Sequence, residues 1–345
     1  MVGSAVSFMR VLAIGGAGGF VASSIGIAGG WLLGAVGAIV AAAALQVPLS
    51  LPVWLRRIAM GFAGITVGAA ITAQTVELLS LLLQSVAIML VFLVILVLAT
   101  YLLHRYRWGM TRATALACAW PGNVLLVFIG AEAMKANMQQ VAVVQSVRVL
   151  ALMGLLPLTI GMYYSPVAGS SVPLSVDLGL AVMVSLFCVV AAVRLGLVGG
   201  EMFLTAFAVG ALSGLGMLQI EIPREAIMLF QVVVGSYIGL ELAKLEMRAV
   251  LSALKPSLAS ALLAATATIV TAFVLAQLFD YSAAALALAL APGGAEAMIL
   301  LSVAFGVDPA FVGIHHTVRL VVLTLAFPLA LRWASREDHQ ATGSR

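Results

Sequence analysis

Long apolar stretches, separated by short polar or turn-forming connectors, make up almost the whole chain. Long examples without a charged residue are Val11 to Leu55, Leu78 to Leu103, and Pro256 to Phe279. A helix that crosses a bilayer needs about 20 predominantly apolar residues. The second and third stretches are therefore long enough for one crossing each, and the first for two. The pattern predicts twelve apolar segments, near residues 11–28, 31–47, 58–75, 79–103, 113–134, 140–160, 175–193, 202–219, 225–242, 256–279, 283–306 and 311–331.

The composition places the chain in the membrane class. Of its residues 63% are hydrophobic and only 9% are charged, whereas a soluble domain carries roughly 25% charged residues. The net charge of +4 comes from basic residues that sit between membrane segments, so we expect a lipid bilayer and no nucleic acid as partner. Cys118 and Cys188 lie in apolar segments, so they are interpreted as small buried hydrophobes and not as a disulfide framework.

The fifth apolar segment of each half contains a proline followed by glycine. The motif is Pro121-Gly122-Asn123 in the first half and Pro292-Gly293-Gly294 in the second. Proline removes a backbone donor and glycine permits non-helical dihedrals, so each motif predicts a helix break. A break at membrane depth is tolerated only where protein or a water-filled cavity covers the freed backbone groups. The alternative for one such motif is a simple kink or a surface loop.

The two motifs belong to a repeat with one spacing. Pro121 and Pro292 are 171 residues apart (292 − 121). The same distance separates further matched pairs, namely Arg148 and Arg319, Pro157 and Pro328, Pro52 and Pro223, Gly64 and Gly235, and Gly68 and Gly239. The sequence therefore predicts a duplicated chain. Its first membrane repeat covers residues 1–165, its second 166–335, and a short cytoplasmic tail 336–345.

The distribution of basic residues predicts how the repeats are oriented. If each broken segment crosses the membrane, the halves are parallel; if it re-enters and returns, each half has five spans and the halves are inverted. Basic residues of short loops favour the cytoplasmic side. With Arg10 inside, the re-entrant arrangement leaves only Arg224 outside, whereas the crossing arrangement places Lys135, Arg194 and the 244–255 loop outside. We therefore predict an all-α integral membrane protein of two inverted repeats, each with about five spanning helices plus a broken re-entrant segment, and with both termini cytoplasmic.

Two arginines lie deep in matching apolar helices. A charge at such a position costs several kcal/mol unless it is paired or solvated, so Arg148 and Arg319 are functional candidates. The alternative is that they tie down carbonyl groups at the end of a broken helix. Gln145 precedes the first arginine and His316 the second by three residues, which puts each pair on one helical face. His316 could relay protons or donate to a substrate, or it could only hydrogen-bond the neighbouring break.

Glu296 lies four residues after Pro292, in the predicted first turn of the second half-helix. It could cap that helix, since a helix N-terminus favours negative charge by about 0.3–1 kcal/mol, or it could couple transport to H⁺ or Na⁺. The first half has Leu125 at the matching position. Backbone N–H groups at the breaks could hold an anion. The predicted substrate-binding set is Pro121, Gly122, Asn123, Gln145, Arg148, Pro292, Gly293, Gly294, Glu296, His316 and Arg319.

Signatures of enzymes and of ATP-driven pumps are absent from the sequence. His315 and His316 are adjacent and point about 100° apart on a helix, which is a poor geometry for joint metal binding. No Cys or His cluster has metal-ligand spacing, and no phosphate-binding Walker motif is present. We therefore expect no enzymatic activity, no cofactor and no metal.

The sequence resembles the AbrB-type membrane protein family over nearly its whole length. The residues that carry the resemblance are Pro292-Gly293-Gly294 with Glu296, Gly306-Val307-Asp308-Pro309, His315 through Arg319 to Pro328, Pro121-Gly122, Val144-Gln145-Ser146 with Arg148, and Gly30-Trp31-Leu32-Leu33-Gly34. The resemblance implies a multi-pass protein of the bacterial inner (plasma) membrane with a duplicated domain and a transport role. Members have also been labelled ammonia monooxygenases or regulators of gene expression. The first half departs from the family's acidic, glycine-rich break, because it reads Pro-Gly-Asn-Val-Leu.

These observations lead to a secondary transporter as the expected function. Its solute would be small and anionic, held where the two breaks approach each other, with Glu296 as the coupling site for H⁺ or Na⁺. The competing hypothesis is a membrane sensor or regulatory protein that binds a ligand without moving it. The sequence leaves a homo-oligomer open.

Overall fold

The computed structural model describes residues 2–71, 79–122, 124–162, 172–197, 199–279 and 281–342. These residues are helical and contain no strand. Their α-helices are α1 (Val2–Ser24), α2 (Gly30–Ala44), α3 (Val53–Ala69), α4 (Leu79–Leu102), α5 (Arg112–Ala119), α6 (Val124–Ala133), α7 (Met138–Gly161), α8 (Val176–Arg194), α9 (Gly200–Gly214), α10 (Arg224–Ala243), α11 (Met247–Leu278), α12 (Ala283–Leu290), α13 (Ala295–Ala304) and α14 (Pro309–Thr342). A π-helical turn, Leu103–Arg107, extends α4.

Six of the described helices are long and apolar enough to cross a membrane. They are Leu82–Arg107, Met138–Gly161, Val176–Arg194, Arg224–Ala243, Met247–Leu278 and Pro309–Ala334. The prediction of an all-α, multi-pass membrane protein is thereby confirmed. The number of spans and the inverted orientation of the repeats stay predictions.

The helix boundaries follow the spacing found in the sequence. Helices α5 and α12 both contain eight residues, and α6 and α13 both contain ten. Helices α12, α13 and α14 each begin 171 residues after α5, α6 and α7 respectively (283 − 112, 295 − 124 and 309 − 138). Helices α2 and α9 both contain 15 residues, and each follows a glycine in the left-handed conformation, Gly29 and Gly199. Glycine adopts this conformation without a steric penalty.

The chain forms two compact units, and each unit draws helices from both halves of the sequence. Unit 1 contains Met1–Leu82, Leu156–Lys244 and Gly294–Ile314. Unit 2 contains Leu83–Leu155, Leu245–Gly293 and His315–Arg345. The predicted repeats divide the chain in a different way, and their boundary at residue 165 lies outside the described residues.

In unit 1, matched glycines allow equivalent helices to approach closely. A β-carbon added at Gly64 of α3 would meet Thr205 of α9 at 2.7 Å, and one at Gly68 would meet Val209 at 2.8 Å. Their sequence counterparts on α10 face α2 in the same way: Gly235 approaches Ala35, and Gly239 approaches Ile39. In both helix pairs the later glycine contacts the later residue of the partner, so the helices of each pair run in the same direction. Small residues at such crossings are typical of membrane helix packing.

In unit 2, an apolar cluster surrounds the first predicted break. Trp120 lies next to Phe327 of α14, with ring centroids 5.3 Å apart. Tyr101, which belongs to this cluster, forms an edge-to-face pair with Trp333, with ring centroids 5.5 Å apart. Edge-to-face aromatic pairs add about 0.5–1.5 kcal/mol beyond their buried area. The cluster therefore packs α14 against Trp120, which lies between α5 and α6.

Candidate functional site

The helix ends at both Pro-Gly motifs. Helix α5 ends at Ala119, and Trp120 is extended, with φ −75° and ψ 116°. Helix α12 ends at Leu290, and Ala291 has φ −57° and ψ 122°. The residue before a proline is disfavoured in the helical region, because its backbone clashes with the proline ring. Each predicted break is therefore present as two short helices, eight and ten residues long, with four residues between them.

Gln145 and Arg148 of α7 hold the carbonyl end of the first half-helix. The amide nitrogen Nε2 of Gln145 donates to the carbonyl oxygens of Ala117 at 2.7 Å and Trp120 at 2.9 Å. The guanidinium of Arg148 donates from Nη1 to the Cys118 carbonyl at 3.2 Å and from Nη2 to the Trp120 carbonyl at 3.4 Å. Its Nη2 also donates to Oε1 of Gln145 at 2.5 Å. The glutamine thereby bridges the arginine and the break.

His316 and Arg319 of α14 do the same for the second break. The ring atom Nε2 of His316 lies 2.9 Å from the Leu288 carbonyl oxygen. The guanidinium of Arg319 donates from Nη1 to the Ala291 carbonyl and from Nη2 to the Gly293 carbonyl at 3.0 Å. Its Nη2 lies 2.8 Å from Nδ1 of His316. The two caps are in register, since their shared carbonyl partners, Ala117 with Leu288 and Trp120 with Ala291, are also 171 residues apart.

This geometry explains how two cations are accommodated inside apolar helices. Arg148 is only 4% exposed and Arg319 only 5%. The last four carbonyls of a helix have no intrahelical partner, and the helix C-terminus carries a partial negative charge that favours a cation. Of the two roles that the sequence leaves open for the arginines, tying down carbonyls is therefore the one observed here.

The hydrogen bonds also define the protonation of His316. A guanidinium only donates, so Nδ1 must accept from Arg319 and carries no proton. The Leu288 carbonyl only accepts, so Nε2 carries the proton. The ring is therefore neutral in this arrangement, and a second proton would break its bond to Arg319. The sequence left two roles open for His316, contact with a proton or substrate and a hydrogen bond to the break, and this geometry shows the hydrogen bond to the break.

Helix α14 is common to both breaks within unit 2. It caps the second break through Arg319. One turn later, Leu323 faces the first break, since a β-carbon added at Gly122 would lie 3.6 Å from the Leu323 side chain. A further turn on, Phe327 packs against Trp120. Residues four apart on a helix are about 6 Å apart along its axis. Both breaks therefore contact neighbouring turns of one helix.

Glu296 lies in the first turn of α13 and belongs to unit 1. Its carboxylate folds back over the helix N-terminus, 3.7 Å from the position of a β-carbon on Gly294. A small cleft of unit 1 is lined by Glu296, Arg56 of α3 and Tyr237 of α10. The Arg56 guanidinium stacks over the Tyr237 ring at 4.7 Å from its centroid. Sequence reasoning missed Arg56 and Tyr237, because no local motif marks them.

The remaining predicted site residues are placed as follows. Pro121 and Gly122 form the linker of the first break, Pro292 and Gly293 that of the second, and Gly294 is the N-cap of α13. Asn123 lies outside the described residues. Among the residues that the structure describes, no group of three metal-binding side chains comes together.

The chain thus has the features of a multi-pass helical membrane protein with two broken, arginine-capped helices. A family model described as "Transition state regulatory protein AbrB" matches residues 31–335. The match covers most of the chain, which therefore belongs to the AbrB family. No curated protein and no solved structure matches the chain.

Proposed function

We propose that the protein is an ion-coupled secondary transporter of a small anionic solute in the bacterial inner membrane. The observation that carries this proposal is the matched pair of helix breaks, each held by a buried arginine. Transporters often build their sites from discontinuous helices near the membrane midplane, contributed by related repeats. Irregular backbone at that depth persists only where it is buried in protein or lines a cavity. A helix that only spans the membrane does not require such a break, and this chain has two broken segments.

In this proposal the arginines position the breaks, and the solute contacts the backbone of the linkers. Arg148 and Arg319 direct donors at carbonyl groups. They still add two buried positive charges to the interior of unit 2, and in a low-dielectric setting such charges attract an anion. Backbone N–H groups of the linkers would donate to a carboxylate, as the N–H groups of helix N-termini do. Gly122 and Gly293 have no side chain that would hinder its approach.

Glu296 is the proposed coupling site. It follows the second break within three residues and lines a cleft with Arg56 and Tyr237. In the proposed mechanism, binding of H⁺ or Na⁺ at Glu296 neutralises its charge in this cleft, and this change is linked to the conformation around the break.

The proposed transporter consists of inverted repeats. Support comes from unit 1, where α2 runs in the same direction as α10, and α3 in the same direction as α9. Consecutive spans joined by a short loop, such as α2 and α3, run in opposite directions. Helix α9, the sequence counterpart of α2, therefore runs opposite to α2. This is the relation expected of inverted repeats with both termini on the cytoplasmic side.

The transport proposal is tested in proteoliposomes that hold the purified full chain. Small mono- and dicarboxylates are added under an imposed pH or Na⁺ gradient, and currents are recorded on a solid-supported membrane. We expect a saturable current for at least one anion, which is lost in Glu296→Gln and retained in Glu132→Gln. Glu132 is an exposed carboxylate of the first half. A current that persists unchanged in Glu296→Gln would contradict the coupling role.

A regulatory function is the second candidate, because the matching family model is described as a regulatory protein. In that case the breaks would bind a solute without moving it. Saturable solute binding to the detergent-solubilised chain, together with no current and no tracer uptake for the same solute, would favour the sensor over the transporter.

A further inference from the structure

In unit 1, Tyr237 of α10 is a neighbour of two carboxylates. It lines the cleft that contains Glu296, and Glu296 lies close enough to act on the tyrosine through its charge. Glu241 follows Tyr237 by one helical turn, so the two side chains lie on one face of α10. The Glu241 carboxylate also interacts with the Tyr237 hydroxyl as a side-chain hydrogen-bond partner. The tyrosine therefore connects the cleft to a second acidic residue.

Glu241 is the member of this series that is most accessible to water. Its side chain is 45% exposed, and its Oε1 accepts a hydrogen bond from Nζ of the exposed Lys244 at 2.7 Å. Tyr237 and Glu296 are half-buried. Residues four apart on a helix are about 6 Å apart along its axis, and α10 ends at Ala243. The series therefore leads from the cleft to the surface at the end of α10.

A tyrosine hydroxyl between two carboxyl groups can transfer a proton without becoming charged. It donates one hydrogen bond and accepts others at the same time. When it takes a proton from Glu296 and passes its own proton to Glu241, Glu296 becomes a carboxylate and Glu241 becomes the acid. Glu241 then releases the proton to water, and the reverse steps load Glu296. The transfer needs no other reactant.

The cleft suits a proton better than a metal cation. It encloses about 10 Å³, which is space for no more than about one water molecule. Among the residues that the structure describes, Glu296 and Tyr237 supply the side-chain oxygens of its lining, and Arg56 adds a positive charge. Glu296 also lies in the first turn of α13, where the helix carries partial positive charge. Na⁺ would keep its charge beside these positive groups, whereas a proton converts the carboxylate into a neutral acid.

The first half of the chain lacks this series. The residues 171 positions before its three members are Leu125, Thr66 and Ala70, and none of them is ionisable. Both halves nevertheless use matched glycines for close helix packing in unit 1. The repeated fold therefore does not require the two carboxylates and the tyrosine.

We propose that the coupling ion is H⁺, and that Tyr237 and Glu241 carry it between Glu296 and the surface at the end of α10. Glu296 binds the proton, Tyr237 passes it on, and Glu241 exchanges it with water. In the predicted orientation this surface faces the cytoplasm. This inference rests on the proposed transport function, to which it adds the ion and its route.

The ion is tested in proteoliposomes that hold the purified full chain. Uptake of labelled small mono- and dicarboxylates is measured under a pH gradient in Na⁺-free buffer, and separately under a Na⁺ gradient at equal pH on both sides. We expect uptake under the pH gradient alone. Uptake driven by the Na⁺ gradient at equal pH would overturn the assignment of H⁺.

Substitutions test the route. Tyr237→Phe and Glu241→Gln should each slow pH-driven uptake about tenfold or more, since a positioned proton-transfer group typically contributes at least that much. Tracer counterflow without a gradient should be unchanged, because it needs no net proton movement. Matched controls are Tyr106→Phe, at an exposed tyrosine of unit 2, and Glu225→Gln, at an exposed carboxylate in the first turn of α10. Both controls should behave as the wild type.

Counterflow separates a failure of the route from a failure of transport. Wild-type pH-driven uptake in Tyr237→Phe and Glu241→Gln, with counterflow intact, would overturn the route and leave the transport proposal standing. Equal losses of uptake and counterflow in these variants would also overturn it, because they would assign both residues a structural role. Absence of counterflow for every solute in the wild type would contradict the transport proposal and this inference with it.

Discussion

The two breaks share one geometry and differ in their chemistry. Both end a half-helix before a proline, and both direct an arginine and a second donor, three residues apart, at its end. Two of the carbonyl partners are equivalent, namely Ala117 with Leu288 and Trp120 with Ala291. The second donor is Gln145 in the first break and His316 in the second. The first turn after the break holds Leu125 in one case and Glu296 in the other. At these two matched positions, an ionisable side chain is therefore present only in the second break.

This comparison separates what the fold requires from what function can use. Gln145 achieves the same capping as His316 without an ionisable group, so capping alone does not require histidine. The caps can be treated as architecture common to both halves. The proposed coupling to H⁺ or Na⁺ is assigned to the groups that distinguish the second break at these positions, and of these Glu296 takes no part in capping the preceding half-helix.

Removing either arginine should have the largest effect on stability. Arg319→Ala and Arg148→Ala each leave buried carbonyls without donors and open a cavity, and we expect a loss of about 3 kcal/mol or more in the free energy of unfolding. This loss of stability is measured by thermal unfolding in detergent, monitored through the amount of protein that remains monodisperse. The exposed Arg194→Ala should be within about 0.5 kcal/mol of the wild type. Wild-type stability in Arg319→Ala would contradict the capping role.

Exchanging the second donor tests whether the two caps are equivalent. His316→Gln should change the stability by less than about 1 kcal/mol, because glutamine can donate to Leu288 and accept from Arg319, as Gln145 does in the first break. His316→Leu should cost about 1–3 kcal/mol, since it leaves buried polar groups unpaired. Chemical unfolding of both variants measures the difference. Equal losses in the two variants would mean that the histidine has a role that glutamine cannot supply.

The glycines of the two breaks should respond differently to alanine. A β-carbon on Gly122 would lie 2.9 Å from the Trp120 ring, whereas one on Gly294 would only touch Glu296 at 3.7 Å. We expect Gly122→Ala to destabilise by about 1–3 kcal/mol through overpacking. Gly294 has φ −66°, which alanine adopts freely, so Gly294→Ala should stay within about 1 kcal/mol. The reverse order of stabilities would show that the linker of the second break is the more tightly packed one.

Neutralising Glu296 should have the smallest effect on stability and a large effect on transport. Glu296→Gln removes only a favourable charge at a helix N-terminus, worth about 0.3–1 kcal/mol. In the proposed mechanism it abolishes gradient-driven uptake but leaves solute exchange without a gradient intact. Tracer counterflow alongside gradient-driven uptake separates the two processes. A loss of folded protein in this variant would instead assign Glu296 a structural role.

The sequence predicted the breaks and the in-register residue pairs that face them because these features are local. Proline and glycine act on their own backbone, and a spacing of three residues on a helix defines a shared face. The face does not specify the partner, so the sequence left open whether Arg319 meets a solute or a carbonyl. Helix ends were less predictable: the segment expected near 202–219 ends as α9 at Gly214, shortly before Gly216 turns left-handed with φ 71°.

Features that depend on distant parts of the chain were not predictable. Arg56 and Tyr237 share a cleft with Glu296 although they lie on α3 and α10. The division into two units, each assembled from both halves, also depends on packing between helices far apart in sequence. The pattern of polar and apolar positions along one helix does not identify which other helix it contacts.

The most direct test of the proposed architecture is the sidedness of two matched residues. Asn137 and Asp308 are 171 residues apart (308 − 137), and both are exposed. Asn137 directly precedes α7, and Asp308 directly precedes α14. Single cysteines at these positions, in a background with Cys118→Ala and Cys188→Ala, are labelled in intact cells with a membrane-impermeant maleimide. Inverted repeats predict that Asp308→Cys is labelled from outside and that Asn137→Cys is labelled only after the membrane is permeabilised. Labelling of both positions from the same side would contradict the account.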